Sequence, residues 1–188
     1  MKKLIYTIQF FSDWHSGSGL SAGADVDETV MKDKNNLPFI PGRTIKGLLR
    51  DSLTDLVEFG SVTHEQLSGI FGSEENLFSG ECFFSNASLS NEIQQTLLDN
   101  KNKAYIPFLY RKITSTAIDT ESGIAQSGSL RKIEVTIPLS VYGEIYFKDN
   151  ETKDLLLTGM KMIKRLGCSR NKGFGRCDFS FIKEEDIQ

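Results

Sequence analysis

Cysteine is scarce in these 188 residues: Cys82, Cys168 and Cys177 are the whole complement. Their spacings make neither a disulfide framework nor a CxxC metal site, so they read as free thiols, buried or half-buried. Histidine is scarcer. His15 and His64 stand too far apart in the chain to suggest zinc, and His64, in Thr63-His64-Glu65-Gln66, reads as an exposed residue of a first helical turn. No apolar run approaches the roughly 20 residues of a membrane-spanning helix, so no membrane partner is implied. The absence of GxxxxGK[ST] excludes a P-loop NTPase. Met1-Lys2-Lys3 has the basic start of a secretion signal, but Thr7, Gln9, Ser12 and Asp13 interrupt the apolar core such a signal needs. A cytoplasmic location is the expectation.

Net positive charge is also missing. Lys and Arg number 22 against 25 Asp and Glu, a formal charge of -3. That balance argues against a free, non-specific nucleic-acid binder and leaves room only for local positive charge. Such charge is present. Between Lys161 and Arg176 there are six cations (Lys161, Lys164, Arg165, Arg170, Lys172, Arg176) and no acid. Gly167, Gly173 and Gly175 are threaded through the same stretch. Glycine lets backbone N–H groups approach a ligand closely and form anion-binding concavities, and neighbouring cations add the charge that backbone dipoles lack. The combination suits a phosphate chain.

Other glycine patterns carry less. Gly17-Ser18-Gly19-Leu20-Ser21-Ala22-Gly23 has one residue too many for a dinucleotide fingerprint, and an acidic segment follows it where a helix should. Lys172-Gly173-Phe174-Gly175 opens the RNP1 signature of RNA-recognition motifs, but Arg176 and Cys177 stand where Phe and Val belong. Too little chain follows for the remaining helix and strand, and sheet aromatics to stack bases are not evident. A standard RNA-recognition motif is therefore not expected.

The periodicities give an α+β order. Residues 2–11 alternate as a strand and 15–24 form a Gly/Ser loop. A helix spans about 43–59, with Ile45, Leu49, Leu53 and Leu56 as its apolar stripe and Leu48 beside it. Arg43, Lys46 and Arg50 share another face that begins at the helix N-terminus, where dipole and free N–H groups favour anions. A short helix at 63–70, a strand at 81–89 and a helical turn at 92–98 follow. Residues 99–130 are irregular and read as an insertion or long hairpin; 131–147 read as a strand or a strand pair bent at Pro138. A helix over 152–166 ends at Gly167 as its C-cap, weakened at Gly159, and a last strand follows the glycine loop. A ferredoxin-like α+β sandwich accommodates this order in one domain.

Taken together, the motifs resemble a family. They are Trp14-His15-Ser16-Gly17-Ser18-Gly19, Val26-Asp27-Glu28-Thr29-Val30-Met31-Lys32-Asp33, the run from Pro38 through Ile40-Pro41-Gly42-Arg43-Thr44-Ile45-Lys46-Gly47-Leu48-Leu49-Arg50, Ile118 to Ala125, Gly128-Ser129-Leu130-Arg131, and the 167–175 loop. In this order, across about residues 1–182, they look like the RAMP superfamily of CRISPR-associated proteins, nearest the repeated backbone subunit of type III effector complexes. The resemblance implies a modified RRM-like core within residues 1–188, with 91–130 inserted as a thumb hairpin. It implies partners: a guide RNA (crRNA), target RNA, copies of the same subunit and other effector subunits. Arg43, Lys46, Arg50, Arg131, Arg165, Arg170, Lys172, Arg176 and the loop glycines Gly167, Gly173 and Gly175 would contact RNA. Asp27 would cut target RNA and hold a divalent metal (Mg or Mn).

From the residues alone, Asp27 is a solvated loop acid or a capping group, with Asp25 and Asp33 as other carboxylates nearby. Asp33 also suits the Asn35-Asn36 turn. Three further readings remain open at this level. One is a RAMP subunit that binds RNA without cutting. Another is a metal-independent guide-processing endoribonuclease with His15 as general acid or base. The last, outside nucleic acids, is an acidic domain with an incidental basic patch.

Overall fold

Leu4, Tyr6, Ile8 and Phe10 are buried and alternate with more exposed neighbours, the two-residue period of a strand packed on one face. The computed structural model describes residues 1–23, 25–73 and 80–187; Ala24 of the expected 15–24 loop lies outside the described residues. In chain order the elements are β1 (Lys2–Phe10), β2 (Phe39–Ile40), α1 (Gly42–Glu58), α2 (His64–Phe71), β3 (Phe83–Phe84), β4 (Ala87–Ser88), α3 (Asn91–Leu98), β5 (Tyr110–Ser115), β6 (Arg131–Thr136), β7 (Ser140–Phe147), α4 (Asn150–Met162) and β8 (Cys177–Asp186). The main sheet runs β2-β4-β7-β1-β8, with β3 also on β7, and its pairings are antiparallel. With the excursion set aside, the path β1-α1-β3/β4-β7-α4-β8 is the expected ferredoxin-like sandwich, with β1 central. No helix among the described residues is long and apolar enough to cross a membrane.

Both long helices cover one face of this sheet. Ile45, Leu49 and Leu53 of α1 and Leu156 and Met160 of α4 join the inward residues of β1, β7 and β8 in one core. Gly159, a weak point in helix propensity, has a packing reason. A Cβ there would stand 3.1 Å from Leu53 Cγ and from Ser52 Oγ, so glycine lets α1 and α4 approach, and Ser52 Oγ–H donates to Gly159 O at 3.3 Å.

The helix expected over 152–166 stops earlier. Its N-cap is Asp149, whose carboxylate accepts the Thr152 N–H at 2.8 Å, and it ends at Met162 with Ile163 as C-cap. Ile163 and Leu166 are buried. Their segment is extended because it ladders with the strand entering β8: Leu166 N–H donates to Gly175 O at 2.9 Å and Cys177 N–H to Lys164 O at 3.0 Å. Tertiary pairing overrides helical periodicity there.

The excursion holds α3, whose Ser90 cap accepts the Ile93 N–H, a 3-10 turn over Lys103–Leu109, and the hairpin β5-β6, a separate two-stranded sheet. The expected strand region 131–147 is divided between the two sheets, since β6 pairs with β5 and β7 with β1. A third extended segment lies along β6. Asp27 N–H donates to Lys132 O at 2.8 Å, Lys132 N–H returns to Asp27 Oδ2 at 2.7 Å, and Glu134 N–H donates to Glu28 O at 2.9 Å.

The sheet face away from the helices carries Lys3, Ile5, Thr7 and Gln9, opposite Tyr146, Glu144, Tyr142 and Ser140. Phe83 packs edge-on to Tyr146 at 5.7 Å. Aromatics therefore do stand on this face, contrary to the sequence expectation, but its charges are balanced. Lys3 pairs with Glu144 at 3.1 Å and with Glu185 at 2.9 Å. Glu144 is held below its ordinary 4.5 by the Tyr146 hydroxyl, then by Lys3. Glu185 is lowered by Lys183 and Lys3, and Glu184 by Lys153 and Lys2. Depressed carboxylates contribute stability that is complete above their unfolded pKa and lost as pH falls through the folded values. Urea unfolding from pH 7 downward should therefore show no loss from these groups until about pH 4.5, then a decline below it. Glu144→Gln should flatten that decline.

Candidate nucleic-acid interface

The glycine-rich loop between α4 and β8 is laid onto the chain that leaves β1. Gly175 N–H donates to Asp13 O at 2.7 Å, Cys168 N–H to His15 O at 3.0 Å, Phe11 N–H to Arg176 O at 2.8 Å, and Arg176 N–H to Ser12 Oγ at 2.9 Å. Two glycines make this docking possible. Gly175, at φ 68°, would carry a Cβ 1.8 Å from Leu166 O; Gly167, at φ 98°, would carry one 2.5 Å from His15 O. Between them Arg170–Lys172 wind as one 3-10 turn, and Gly173 follows in the left-handed region. That right-to-left alternation is the backbone geometry that gathers N–H groups toward an anion.

The cations of this stretch divide by partner. Lys164 faces Asp178 at 3.6 Å, and the Arg165 guanidinium donates to Arg170 O. Arg170, Lys172 and Arg176 are exposed, with no side-chain partner among the described residues. Arg165 and Arg170 line a groove with Leu48, Asp51 and Asp55 of α1. Lys172 meets Arg131 across a small cleft of about 230 Å³ at the end of the hairpin where Ser115 leaves β5 and Arg131 enters β6.

The three α1 cations are not part of that cluster. The α1 residues lining the groove beside the loop are Leu48, Asp51, Ser52 and Asp55. Arg43 is exposed, Lys46 is half-buried within electrostatic reach of Cys82, and the Arg50 guanidinium donates to Gly72 O at 2.7 Å, beyond the end of α2. The first N–H of α1 is also occupied, since Gly42 N–H donates to Asn86 Oδ1 at 2.9 Å. Gly42 itself lies so close to β3 that a Cβ would be 2.1 Å from Phe84 O.

Asp27 lines a different cleft, of about 480 Å³, with His15, Glu28, Thr29 and Cys168. Asp27 is exposed; Oδ2 accepts the Lys132 N–H, and Oδ1 has no partner among the described residues. His15 is 1% exposed. Its Nδ1 lies 2.6 Å from Glu134 O and must donate there, while Nε2 faces Glu28 Oε2 at 3.6 Å. The ring is thus enclosed between two protein oxygens. Among the described residues no three His, Cys, Asp or Glu side chains gather into a metal-binding group. A divalent metal would find one free carboxylate oxygen at Asp27. That fits an Mg²⁺-type ion, which keeps several waters and takes further ligands from substrate phosphate.

Sequence reasoning passed over Glu134. Its carboxylate accepts the Val30 N–H at 3.2 Å and the Lys32 ammonium at 2.7 Å, and its backbone holds His15 and Glu28. No motif marks it. Its only signal is an acid inside the basic, alternating run Arg131-Lys132-Ile133-Glu134.

The thiols are equally divided. Burial pushes Cys82 up to about 12 and Cys177 up to about 11, whereas Cys168 is exposed at the start of the glycine loop. A thiolate-selective reagent at pH 8 should titrate one thiol in the native protein and three after unfolding, and Cys168→Ser should abolish the native reaction.

A ferredoxin-like domain of the RRM type, with an inserted hairpin and a docked glycine-rich loop, defines the class. The RAMP superfamily model matches residues 7–178, and the chain belongs to that superfamily. The chain is also similar to a chain in the cryo-EM structure of Type III-B Cmr-beta bound to cognate target RNA. TM-score is 0.72 at 12% identity, covering 95% of this chain and 96% of that one. A chain of the Type III-B Cmr-beta apo state gives TM-score 0.71 at 12% identity, covering 96% and 97%. At that identity the likeness is one of fold. No curated protein matches the sequence.

Proposed function

We propose that this chain is a guide-RNA-binding backbone subunit of a type III CRISPR effector complex, and that it cleaves target RNA through Asp27. The observation that carries this reading is the end-to-end fit, nearly complete on both sides, to a chain of Cmr-beta bound to target RNA. The match spans a whole chain of that assembly, the relation expected between two subunits of like role. The interface geometry agrees in kind. Arg170, Lys172 and Arg176 project from a loop whose glycines let it dock on the chain leaving β1, and Arg131 adds a cation from the hairpin. Contacts of this type track phosphates and confer no sequence preference.

For cleavage, a 2′-hydroxyl must lose its proton as its oxygen attacks phosphorus and the P–O5′ bond breaks. In this reading Asp27 takes or orients that proton through Oδ1, the oxygen left free when Oδ2 accepts the Lys132 N–H. A divalent metal held at Asp27 would supply charge neutralisation on the phosphate. Asp25 and Asp33 are less suited. Asp25 pairs with Lys112 at 2.5 Å, and Asp33 accepts the Asn35 and Leu37 N–H groups at 2.8 and 2.9 Å, serving the turn. His15 is enclosed, which disfavours the guide-processing reading.

One observation favours a second reading, a structural subunit that does not cut: Asp27 Oδ2 latches its loop to β6. Target cleavage by the guide-loaded complex with magnesium, wild type against Asp27→Asn, decides between them. Loss of cutting with guide binding retained supports the nuclease; a wild-type complex that binds target and never cuts supports the structural subunit.

A further inference from the structure

A cavity of about 660 Å³ opens between the foot of the hairpin and the Lys32–Asn36 turn. It shares no lining residue with the glycine-rich loop or with the Asp27 cleft. Its size falls in the range of small-molecule sites. Leu98 of α3, Ile106 and Pro107 of the 3-10 turn, and Tyr110 at the start of β5 give it an apolar wall. The Tyr110 hydroxyl donates to Asn36 O at 2.7 Å and Lys32 Nζ stands 4.1 Å from the ring centroid, so this aromatic is fixed in place.

The polar lining is unbalanced. Lys32, Lys103, Arg111 and Lys112 face one carboxylate, Glu134. Lys32 is matched by Glu134, while Arg111 and Lys112 pair with Asp13 and Asp25, which lie outside the cavity lining. Lys103 is exposed and has no partner among the described residues. The side-chain amides of Asn35 and Asn36 also line the cavity without a hydrogen bond among the described residues. An apolar wall ending in an aromatic, two uncommitted amides and an uncommitted cation call for a flat ring with polar edges joined to an anionic group.

We infer that this cavity binds a nucleotide, its base against Leu98, Pro107 and Tyr110, its edge on Asn35 or Asn36, and its phosphate on Lys103. For a free nucleotide the inference stands apart from the proposed function, because the cavity is built by one chain and needs no assembled complex; for an RNA-borne nucleotide it rests on that reading. The nucleotide is either free or part of an RNA strand, and the experiment separates the two sources.

The full-length protein is titrated by calorimetry and by amide NMR with AMP, UMP, adenosine, inorganic phosphate and a short single-stranded RNA. Two variants accompany it. Lys103→Glu removes an exposed, unpaired cation and should leave thermal stability unchanged; Leu98→Trp fills the cavity. AMP should bind saturably, perturb the Asn35 and Lys103 amides, and exceed adenosine or phosphate alone. Loss of one charge-assisted hydrogen bond should weaken it about tenfold or more in Lys103→Glu. RNA that displaces AMP, or that perturbs the same amides when AMP does not, identifies an RNA-borne nucleotide. AMP binding that RNA leaves untouched identifies a free one. If neither AMP nor RNA perturbs these amides, or if binding is the same in folded Lys103→Glu as in wild type, the inference is wrong.

Discussion

Asp27→Asn should slow target-RNA cleavage by the guide-loaded complex by about 10²- to 10⁴-fold, the range for loss of a positioned acid or base, and should leave guide binding unchanged. Asparagine is the informative substitution. Asp27 Oδ2 accepts the Lys132 N–H at 2.7 Å, so its carboxylate both faces solvent and pins its loop to the hairpin. An amide oxygen can keep that acceptor while the charge is lost. Alanine removes both, and its effect would mix chemistry with loop position. Asp25→Asn is the matched control. It breaks an exposed surface pair with Lys112 at 2.5 Å, which solvent screens, and should leave cutting near wild type. If Asp25→Asn abolishes cleavage and Asp27→Asn does not, the catalytic assignment moves to Asp25 and Asp27 becomes a latch.

The second large effect is expected at Gly175. At φ 68° a side chain is strained, and a Cβ would lie 1.8 Å from Leu166 O, a backbone atom fixed by its own ladder. Gly175→Ala should cost about 3 kcal/mol, the sum of a strained dihedral and a backbone overlap. It should release the loop from Asp13 and His15 and sharply weaken guide binding. Gly173→Ala is the comparison. Its φ is 92° but nothing lies within 4 Å of the added Cβ, so the cost should be about 1–2 kcal/mol with binding retained. Urea unfolding and RNA anisotropy on the two variants check this. Equal effects at both positions would show that dihedral preference, not docking of the loop, sets the cost.

Much of the sandwich was legible because its periodicities are undisturbed. Leu4-Tyr6-Ile8-Phe10 and Ile45-Leu49-Leu53 each face one core, and burial turns such patterns into position directly. The C-terminus of α4 was not legible. Residues 163–166 continue a helical pattern, but their carbonyls and N–H groups find partners in 175–177, a pairing between segments joined only by the glycine loop. The loop's chemistry could be read from glycine and cation content, whereas its docking onto Asp13 and His15 could not, since those contacts are backbone to backbone and leave no side-chain signature. The α1 face shows the opposite case. Arg43, Lys46 and Arg50 do share a helical face by spacing, but Arg50 is drawn to Gly72 by an element that helical geometry alone does not position. Glu134 escaped for the same reason: its partners Val30, Lys32 and His15 are about a hundred residues away in sequence.

The central claim is that RNA phosphates are held by unpaired cations on a loop fixed by glycine. Its most direct test is the salt dependence of affinity for a guide-length RNA, measured by anisotropy for wild type and for the combined Arg170→Gln, Lys172→Gln, Arg176→Gln variant. Each phosphate contact on a single strand contributes about 0.7 to the slope of log K against log salt, so removing three cations should make the slope shallower by about 2. Cognate and scrambled guides should behave alike, and bound RNA should shield Cys168 from thiol reagents. A wild-type protein that binds no RNA, or a variant with an unchanged slope and an unshielded Cys168, would contradict the account.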